Sequence, residues 1–270
     1  SINVIASAYI DKNYPYIKKS KERLDKSAYR KIVSEVKSRI AIKLCNVLVS
    51  STDNIIIGSI ISVASAGLFQ NYSLIVSQLN LFISQISNAI TPSLGNYTAI
   101  ESKEKLGKVI EEIEFLNHCI GTFCFTCFCI LVSTFIKLWL GDYLLPFIVP
   151  FLLMCDLYIT QIRDVHWKVN NMTDGFKNNK RVYFHIMRAM LNLLISLIGA
   201  KFLGICGVVL GTVVSSLVIW GAEVIYTYTR VLKISLRGYI KRQIFYSLQV
   251  LVIYYLVYTA NSMLEINNML

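Results

Sequence analysis

The fold of this protein is decided by residues 44–100, which read LCNVLVSSTDNIIIGSIISVASAGLFQNYSLIVSQLNLFISQISNAITPSLGNYTAI. Asp53 is the only charged residue in this run. A helix needs about 20 mostly apolar residues to cross the hydrocarbon core of a bilayer. The run is therefore long enough for two membrane-spanning helices, and its small and polar residues at 62–67 predict the break between them.

The composition of the whole chain favours the same class of protein. Hydrophobic residues make up 55% and charged residues only 16% of the 270 residues, whereas soluble domains have about 25% charged residues. Only helices and closed barrels satisfy their backbone groups in lipid, and the sequence lacks the strand alternation of a barrel. We therefore predict an all-α, polytopic membrane helix bundle.

The remaining apolar stretches set the number of spans. They carry at most one charged residue each, and they are 115–136, 143–162 with Asp156, 182–200 with Arg188, 202–222 and 243–264. Together with the two spans of 44–100 they predict seven membrane crossings. Residues 1–10 are predicted to be the end of a preceding transmembrane helix, which implies that the chain is cut at its N-terminus.

The basic residues predict the orientation of these spans. Of the 27 Lys and Arg residues, 25 lie in the four segments 11–43, 101–114, 163–188 and 230–242. These segments are alternate connections between the predicted spans, and short loops rich in Lys and Arg stay in the cytoplasm. The four segments are therefore predicted to be cytoplasmic and the C-terminus external. The net charge of +11 then reflects topology, and no nucleic-acid partner is expected.

Two basic segments are predicted to be helices outside the membrane core. Residues 16–36 place apolar residues at four-residue spacing among lysines, which suits a helix lying on anionic lipid or an ordinary solvated linker helix. Residues 101–114 mix both charges and are interpreted as a solvated loop helix.

The sequence carries no motif for covalent chemistry. A phosphate-binding GxxxxGK[ST] loop and an HExxH motif are missing, and the three histidines are far apart in sequence. Cys124 and Cys127 form a CxxC inside an uncharged stretch, where cysteine is interpreted as a small apolar filler. We therefore expect no metal, no cofactor and no enzyme activity.

Ionisable residues inside the spans are the candidate site residues, because a charge within the membrane is costly and usually faces a cavity or a partner. Asp53, in the polar run 51–54, predicts a kinked or unwound helix that lines a cavity, or else a polar residue satisfied by packing. Asp156 and Arg163 are seven residues apart and share a helix face, so they form an internal pair or face an aqueous cavity. Arg163 is alternatively a topology anchor. Arg188 either binds an anionic headgroup or snorkels to the surface.

Other polar residues of the spans are given structural roles. Glu223 and Lys201 lie near predicted span ends and are interpreted as interface residues. Gly204, Gly207 and Gly211 are predicted to let two helices approach closely. Lys168 is assigned to topology.

Three runs of the sequence resemble one known family. They are residues 51–96, FIKLWLGDYLL at 135–145 and LNLLISLIGAKFLGICGVVLGTVVS at 191–215. In this order they closely resemble the bacterial polysaccharide repeat-unit flippases of the Wzx type, which belong to the multidrug, oligosaccharidyl-lipid and polysaccharide exporter superfamily.

The resemblance implies a domain organisation. Members have two lobes of six helices around a central cavity, as in the MATE-like exporters. Residues 44–229 then resemble the C-terminal lobe, 11–43 the cytoplasmic inter-lobe linker, and 230–270 a cytoplasmic loop with an additional transmembrane helix. The N-terminal lobe of the same chain is the implied partner.

The resemblance also implies a function, a location and a substrate. Members of the family move undecaprenyl-diphosphate-linked oligosaccharide across the bacterial plasma membrane by alternating access. Members often carry an acidic residue where Arg188 aligns, and this departure makes Arg188 a candidate for contact with the diphosphate. Two alternatives remain open: a MATE-type cation-coupled antiporter of drugs or small molecules, and a membrane-embedded polysaccharide polymerase or glycosyltransferase.

Overall fold

A computed structural model describes residues 9, 12–14, 25–173 and 180–269 of the protein. Seven long helices make up most of the described chain. In chain order they are α1 (Lys26–Ile56), α2 (Val63–Ile100), α3 (Lys103–Leu140), α4 (Ile148–Met172), α5 (Lys180–Leu203), α6 (Ile205–Tyr226) and α7 (Arg237–Met269). A π-helical segment extends α1 to Ile61 and another extends α6 to Leu232.

The predicted break within 44–100 is confirmed at Ser62. This residue has an extended backbone between the end of the first helix and the start of α2, and its hydroxyl accepts a hydrogen bond from the Ser65 amide at 3.0 Å. Serine at this position satisfies one of the free amides of a helix N-terminus. The prediction of an unwound segment at 51–54 is wrong, because Asp53 lies in regular α-helix and the π segment begins four residues later at Ile57.

Contacts between helices define their directions. Asn192 of α5 bonds to Thr212 of α6, and Ser196 bonds to the Val208 carbonyl, so residue numbers rise on one helix as they fall on the other. Helices α3 and α7 run parallel instead, because Arg242 contacts Glu111 and Tyr254, further along α7, contacts Phe125, further along α3. The turns at 101–102 and 233–236 consequently lie at one end of the bundle and the turns at 141–147 and 204 at the other. This arrangement agrees with the alternation of the basic segments, and the cytoplasmic assignment of that end stays a prediction.

The all-α membrane bundle is confirmed. Five segments of the described chain are long and apolar enough to cross a membrane: Lys26–Ile61, Lys103–Leu140, Val182–Leu203, Ile205–Leu232 and Arg237–Asn261. Helix α4 is less apolar because it packs against α2, α3 and α6, and polar side chains such as Gln161, His166 and Asn170 are buried against these neighbours.

The chain divides into two compact units, Ser1–Ala41 and Ile42–Leu270. Helix α1 begins at Lys26 and continues through the predicted linker boundary at residue 43 without a break. Most of the predicted span end at 1–10 and the first part of the predicted helix at 16–36 lie outside the described residues. The inter-lobe role of 11–43 stays a prediction.

The predicted close approach at the glycines is confirmed between α5 and α6. A Cβ atom added to Gly199 would lie 2.7 Å from the carbonyl carbon of Gly207, and one added to Gly211 would lie 2.8 Å from the amide nitrogen of Ser196. Gly204 forms the turn between the helices with a φ of +58°, which favours glycine. The two backbones therefore touch along the first turns of α6.

The interpretation of residues 101–114 as a solvated loop helix is wrong. These residues form the first turns of α3, and Leu106, Ile110 and Ile113 are buried together with Glu114. The apolar residues recur at helical spacing, so this end of α3 packs on the bundle while its lysines lie on the opposite face.

Candidate functional site

A stripe of polar residues runs along α6 and organises the candidate site. Thr212, Ser216, Glu223 and Thr227 follow one another at intervals of four, seven and four residues, which places them on one face of the helix. All four are buried. We call this set the α6 stripe. It faces polar residues of α1, α4 and α5, and the resulting contacts form layers along the bundle.

The first layer contains Asp53 of α1. Its Oδ2 accepts a hydrogen bond from the Thr212 hydroxyl at 2.7 Å. The Asn192 amide of α5 donates to the same hydroxyl at 2.8 Å. Asp53 is only 6% exposed, so the predicted intramembrane carboxyl is held by three helices rather than by water.

The second layer joins Asp156 of α4 to Arg188 of α5 through Ser216. The Ser216 hydroxyl donates to Asp156 Oδ1 at 2.5 Å and accepts from Arg188 Nη2 at 2.9 Å. The same guanidinium nitrogen lies 4.0 Å from the carboxylate. The Arg188 side chain is 11% exposed, so it points into the bundle, and the prediction that it snorkels to the surface is wrong.

The third layer is an ion pair between Arg163 of α4 and Glu223 of α6. Arg163 Nε lies 3.7 Å from Glu223 Oε2, and the Glu223 side chain is fully buried. Glu223 is therefore not an interface residue, and Arg163 is not a surface anchor. Asp156 and Arg163 share the face of α4 that meets α6, as predicted, but each pairs with a different residue because two turns, roughly 10 Å, separate them along the helix.

A fourth layer continues the stripe without charges. The Thr227 hydroxyl donates to the Asn170 side chain of α4 at 3.0 Å, and the Asn170 amide donates to the Glu223 carbonyl at 3.2 Å. This layer extends the polar path one turn beyond the ion pair towards the end of the bundle that carries the turn at 233–236.

The structure thus brings the four predicted site residues onto one polar path, together with Glu223. The path holds three carboxylates and two guanidiniums, so both signs of charge are present along it. Several of its buried atoms have no hydrogen-bond partner: Asp53 Oδ1, Arg163 Nη1, Arg188 Nε, Asn192 Oδ1 and both carboxylate oxygens of Glu223. Because these donors and acceptors lie close together in a buried site, they could form hydrogen bonds with a polar ligand or with water.

Sequence reasoning missed the neutral members of the path. On α5, Arg188, Asn192 and Ser196 recur every four residues, and all three bond to α6. On α6, the stripe has the same helical spacing. Polar residues at helical spacing on two adjacent apolar helices predict that the helices share a polar interface, and this pattern could have identified the neutral residues.

Two further polar networks lie outside this path. Glu114 is fully buried between His166 Nε2, at 3.2 Å, and Arg242 Nη2, at 3.4 Å. Lys168 forms an ion pair with Asp164, and both contact Ser87 of α2. Lys168 is 12% exposed, so its assignment to topology alone is wrong. His166 lies far from the other histidines in sequence, but its side chain contacts this buried Glu114 carboxylate.

The cysteines carry no ligand geometry. Cys124 and Cys127 line an apolar groove with residues of α2 and α3. Within the described ranges, no group of three or more His, Cys, Asp and Glu side chains is arranged to hold a metal ion.

Comparison with known families identifies the class of protein. A family model described as polysaccharide biosynthesis protein matches residues 14–149, half of the chain. The chain belongs to this family. The resemblance seen in the sequence is confirmed at this level, and the protein is a multi-pass membrane protein with a role in polysaccharide biosynthesis or export. No curated protein matches the chain, and no solved structure matches it.

Only part of the polar path lies within the range that the family model matches. Residues 14–149 contain α1, α2 and α3, and thus Asp53. Asp156, Arg163, Arg188 and Glu223 lie beyond the match. Their roles therefore rest on the contacts described above.

Proposed function

We propose that the protein translocates undecaprenyl-diphosphate-linked oligosaccharide repeat units across the bacterial plasma membrane by alternating access, as a flippase for surface polysaccharide such as O-antigen or capsule. In this proposal it is a transporter and carries out no covalent step. Membership of the polysaccharide biosynthesis family supports the substrate class.

The observation that carries the proposal is the path of charged side chains through an apolar bundle, of which Asp53 and Glu223 are buried and the other three are half-buried. Five charged side chains from four helices would destabilise a bundle whose only task is to pack, because each ion loses several kcal/mol of hydration on burial. The headgroup of the proposed substrate combines an anionic diphosphate with polar sugars, and it cannot cross the hydrocarbon core unaided. Guanidinium groups suit phosphate because they present several N–H donors in a planar fork.

The pairing of each arginine suggests how such a substrate would be bound and released. Arg188 is held by Ser216 and Asp156, and Arg163 is held by Glu223. In the proposed cycle the diphosphate competes with these carboxylates for the guanidiniums. The carboxylates recover their partners when the substrate leaves, so the arginines need no exposure to lipid in either state.

The proposed transporter also has a second lobe, which belongs to the same chain. A cavity between two lobes would open alternately to the two faces of the membrane. Residues 11–43 would link the lobes on the cytoplasmic side. An ion gradient or the substrate gradient would supply the driving force.

The test uses the full-length protein in its own bacterium, with the chromosomal gene replaced by variants. Arg188→Ala is expected to lower surface polysaccharide about tenfold, which corresponds to the loss of roughly 1.4 kcal/mol of transition-state stabilisation. Lipid-linked repeat units should remain on the cytoplasmic face, while the amount of protein in the membrane stays the same. Lys201→Ala is the matched control, because this exposed lysine lies on the same helix, away from the path. It is expected to keep normal polymer yield.

The outcomes separate the alternatives. Normal surface polysaccharide in Arg188→Ala would remove Arg188 from the site. Unchanged polysaccharide with altered resistance to cationic dyes would favour the antiporter. Lipid-linked units of altered length or composition, made on the correct face, would favour an enzyme.

A further inference from the structure

A groove of about 370 Å³ lies on the outer surface of the bundle between α7 and Trp220 of α6. Its volume falls within the range of roughly 300–1,000 Å³ that ligand sites occupy. Its lining is mostly aliphatic: Ile240, Ile244, Leu248 and Leu251 of α7 form one wall. The groove exists because α7 packs on α3 through Tyr246 and Tyr254, which leaves its other face unpacked.

Four polar side chains line this groove, and three of them are already bonded. The Trp220 indole N–H donates to the Tyr239 hydroxyl at 2.9 Å. The Ser247 hydroxyl donates to the Gln243 carbonyl of its own helix at 2.8 Å. The fourth is the side chain of Gln243, which is 6% exposed and whose Nε2 has no hydrogen-bond partner.

A buried amide N–H group without an acceptor destabilises the folded protein, because it has lost its hydrogen bonds to water. Gln243 lines the groove, and because the terminal torsion of a glutamine is broad, a change of side-chain orientation would turn its N–H groups towards an occupant. An occupant that brings an acceptor to this depth would recover the cost. An ester carbonyl of a lipid is such an acceptor, and the mostly aliphatic lining of the groove favours a lipid over water as its occupant.

The position of Gln243 along α7 indicates which lipid group would accept the hydrogen bond from its amide. Gln243 is six residues from Arg237, the first residue of α7, which corresponds to a rise of roughly 9 Å. Each headgroup layer of a bilayer is several Å thick outside the core of about 30 Å. Gln243 therefore lies near the boundary of core and headgroups, where the ester carbonyls of a diacyl phospholipid lie.

Charge complements this placement. Arg237 and Lys241 are exposed and precede Ile244 and Leu248 on the same face of α7, at spacings of four, three and four residues. They lie at the headgroup end of the aliphatic wall. A cation near the membrane surface attracts anionic lipid.

We propose that this groove is a binding site for one anionic diacyl phospholipid. One acyl chain lies along the aliphatic wall, an ester carbonyl accepts a hydrogen bond from the Gln243 amide, and the phosphate lies beside Arg237 and Lys241. The lipid is a structural ligand of α7 and is distinct from any transported molecule. The proposal does not rest on the transport function.

The experiment titrates lipid-stripped, full-length protein with phosphatidylglycerol and counts bound lipids by native mass spectrometry. The diester lipid is expected to bind the wild-type protein about fivefold more tightly than its diether analogue, which lacks the carbonyls. Gln243→Leu is expected to remove this preference. Arg237→Ala combined with Lys241→Ala is expected to remove the preference for phosphatidylglycerol over phosphatidylcholine.

Thr259→Val is the control, because Thr259 lies on α7 beyond the groove and bonds only locally to the Leu256 carbonyl. It should retain both preferences. Equal binding of diester and diether lipid by the wild-type protein would overturn the proposal, even if Gln243→Leu fails to fold. Displacement of phosphatidylglycerol by a polyprenyl phosphate, with the same sensitivity to Gln243→Leu, would overturn it in favour of a carrier-lipid site.

Discussion

Arg163 Nε lies 3.7 Å from Glu223 Oε2, and the Glu223 side chain has no exposed surface. This pair joins α4 to α6 in the interior of the bundle. A buried pair is costly to break because the remaining charge is left without water or a partner, whereas its replacement by apolar residues is often neutral. Variants that remove one partner and variants that replace both partners therefore differ in stability, so the effect of the pair on stability can be measured separately from its effect on function.

Glu223→Gln is expected to reduce the free energy of unfolding by about 3–5 kcal/mol, because Arg163 then remains buried without a countercharge. The measurement is the thermal unfolding midpoint of the full-length protein in detergent, followed by size-exclusion chromatography.

The double variant Arg163→Met with Glu223→Leu supplies the control. It should recover most of the lost stability and still fail to support surface polysaccharide. A double variant that restores polysaccharide would show that the pair serves packing alone. A double variant as unstable as Glu223→Gln would contradict the pairing.

Gly207→Ala is expected to destabilise the bundle, because its Cβ would overlap the backbone of Gly199 on α5. Forcing extra atoms into a packed interface costs about 1–3 kcal/mol. The measurement is again the unfolding midpoint. Gly221→Ala on the same helix is the control, since its Cβ would meet no atom within 4 Å; its midpoint should be unchanged or higher. Equal midpoints for the two variants would contradict the close approach.

Arg242→Ala is expected to loosen α7. Arg242 contacts Glu111 and the fully buried Glu114 of α3 at 2.8 and 3.4 Å, so its removal leaves the Glu114 carboxylate without this cation. Hydrogen–deuterium exchange in 237–261 should become faster and the unfolding midpoint lower. Adding Glu114→Gln should restore part of the loss, because the buried charge is then gone. Arg230→Ala, an exposed arginine, should change neither quantity.

The predicted orientation has a direct test in a background that lacks the seven cysteines. Tyr143→Cys lies in the turn between α3 and α4, and Ser235→Cys in the turn before α7; both positions are exposed. A membrane-impermeant maleimide should label Cys at 143 in intact cells and Cys at 235 only after permeabilisation. The reverse pattern would invert the topology.

The sequence predicted the position of most helices because hydropathy is a local property. The break at Ser62 and the seven helical segments follow from runs of apolar residues interrupted by polar or glycine residues. The beginning of α3 was misread, since mixed charge in 101–114 suggested solvent on all sides. Its apolar residues at Leu106, Ile110 and Ile113 carried the contrary signal, because they recur at helical spacing.

The candidate site was predicted in part. Asp53, Asp156, Arg163 and Arg188 stand out because a charge inside an apolar run is rare. Glu223 was misassigned because it lies near the end of a predicted span, and its depth depends on where α6 ends. The extension of α6 by a π segment to Leu232 puts Glu223 more than two turns from the end of the helical segment.

The sequence by itself determined that the chain is a bundle of apolar helices with its basic residues on alternate connections. The helical bundle and the location of the basic residues follow from the free-energy cost of placing charges and unpaired backbone groups in lipid. This cost depends on the composition of each segment by itself. Only the tertiary structure decided that Arg188 pairs with Asp156 through Ser216, and Arg163 with Glu223. Those pairings depend on the rotation and register of α4, α5 and α6 about one another, which are set by packing contacts such as that of Gly199 on Gly207.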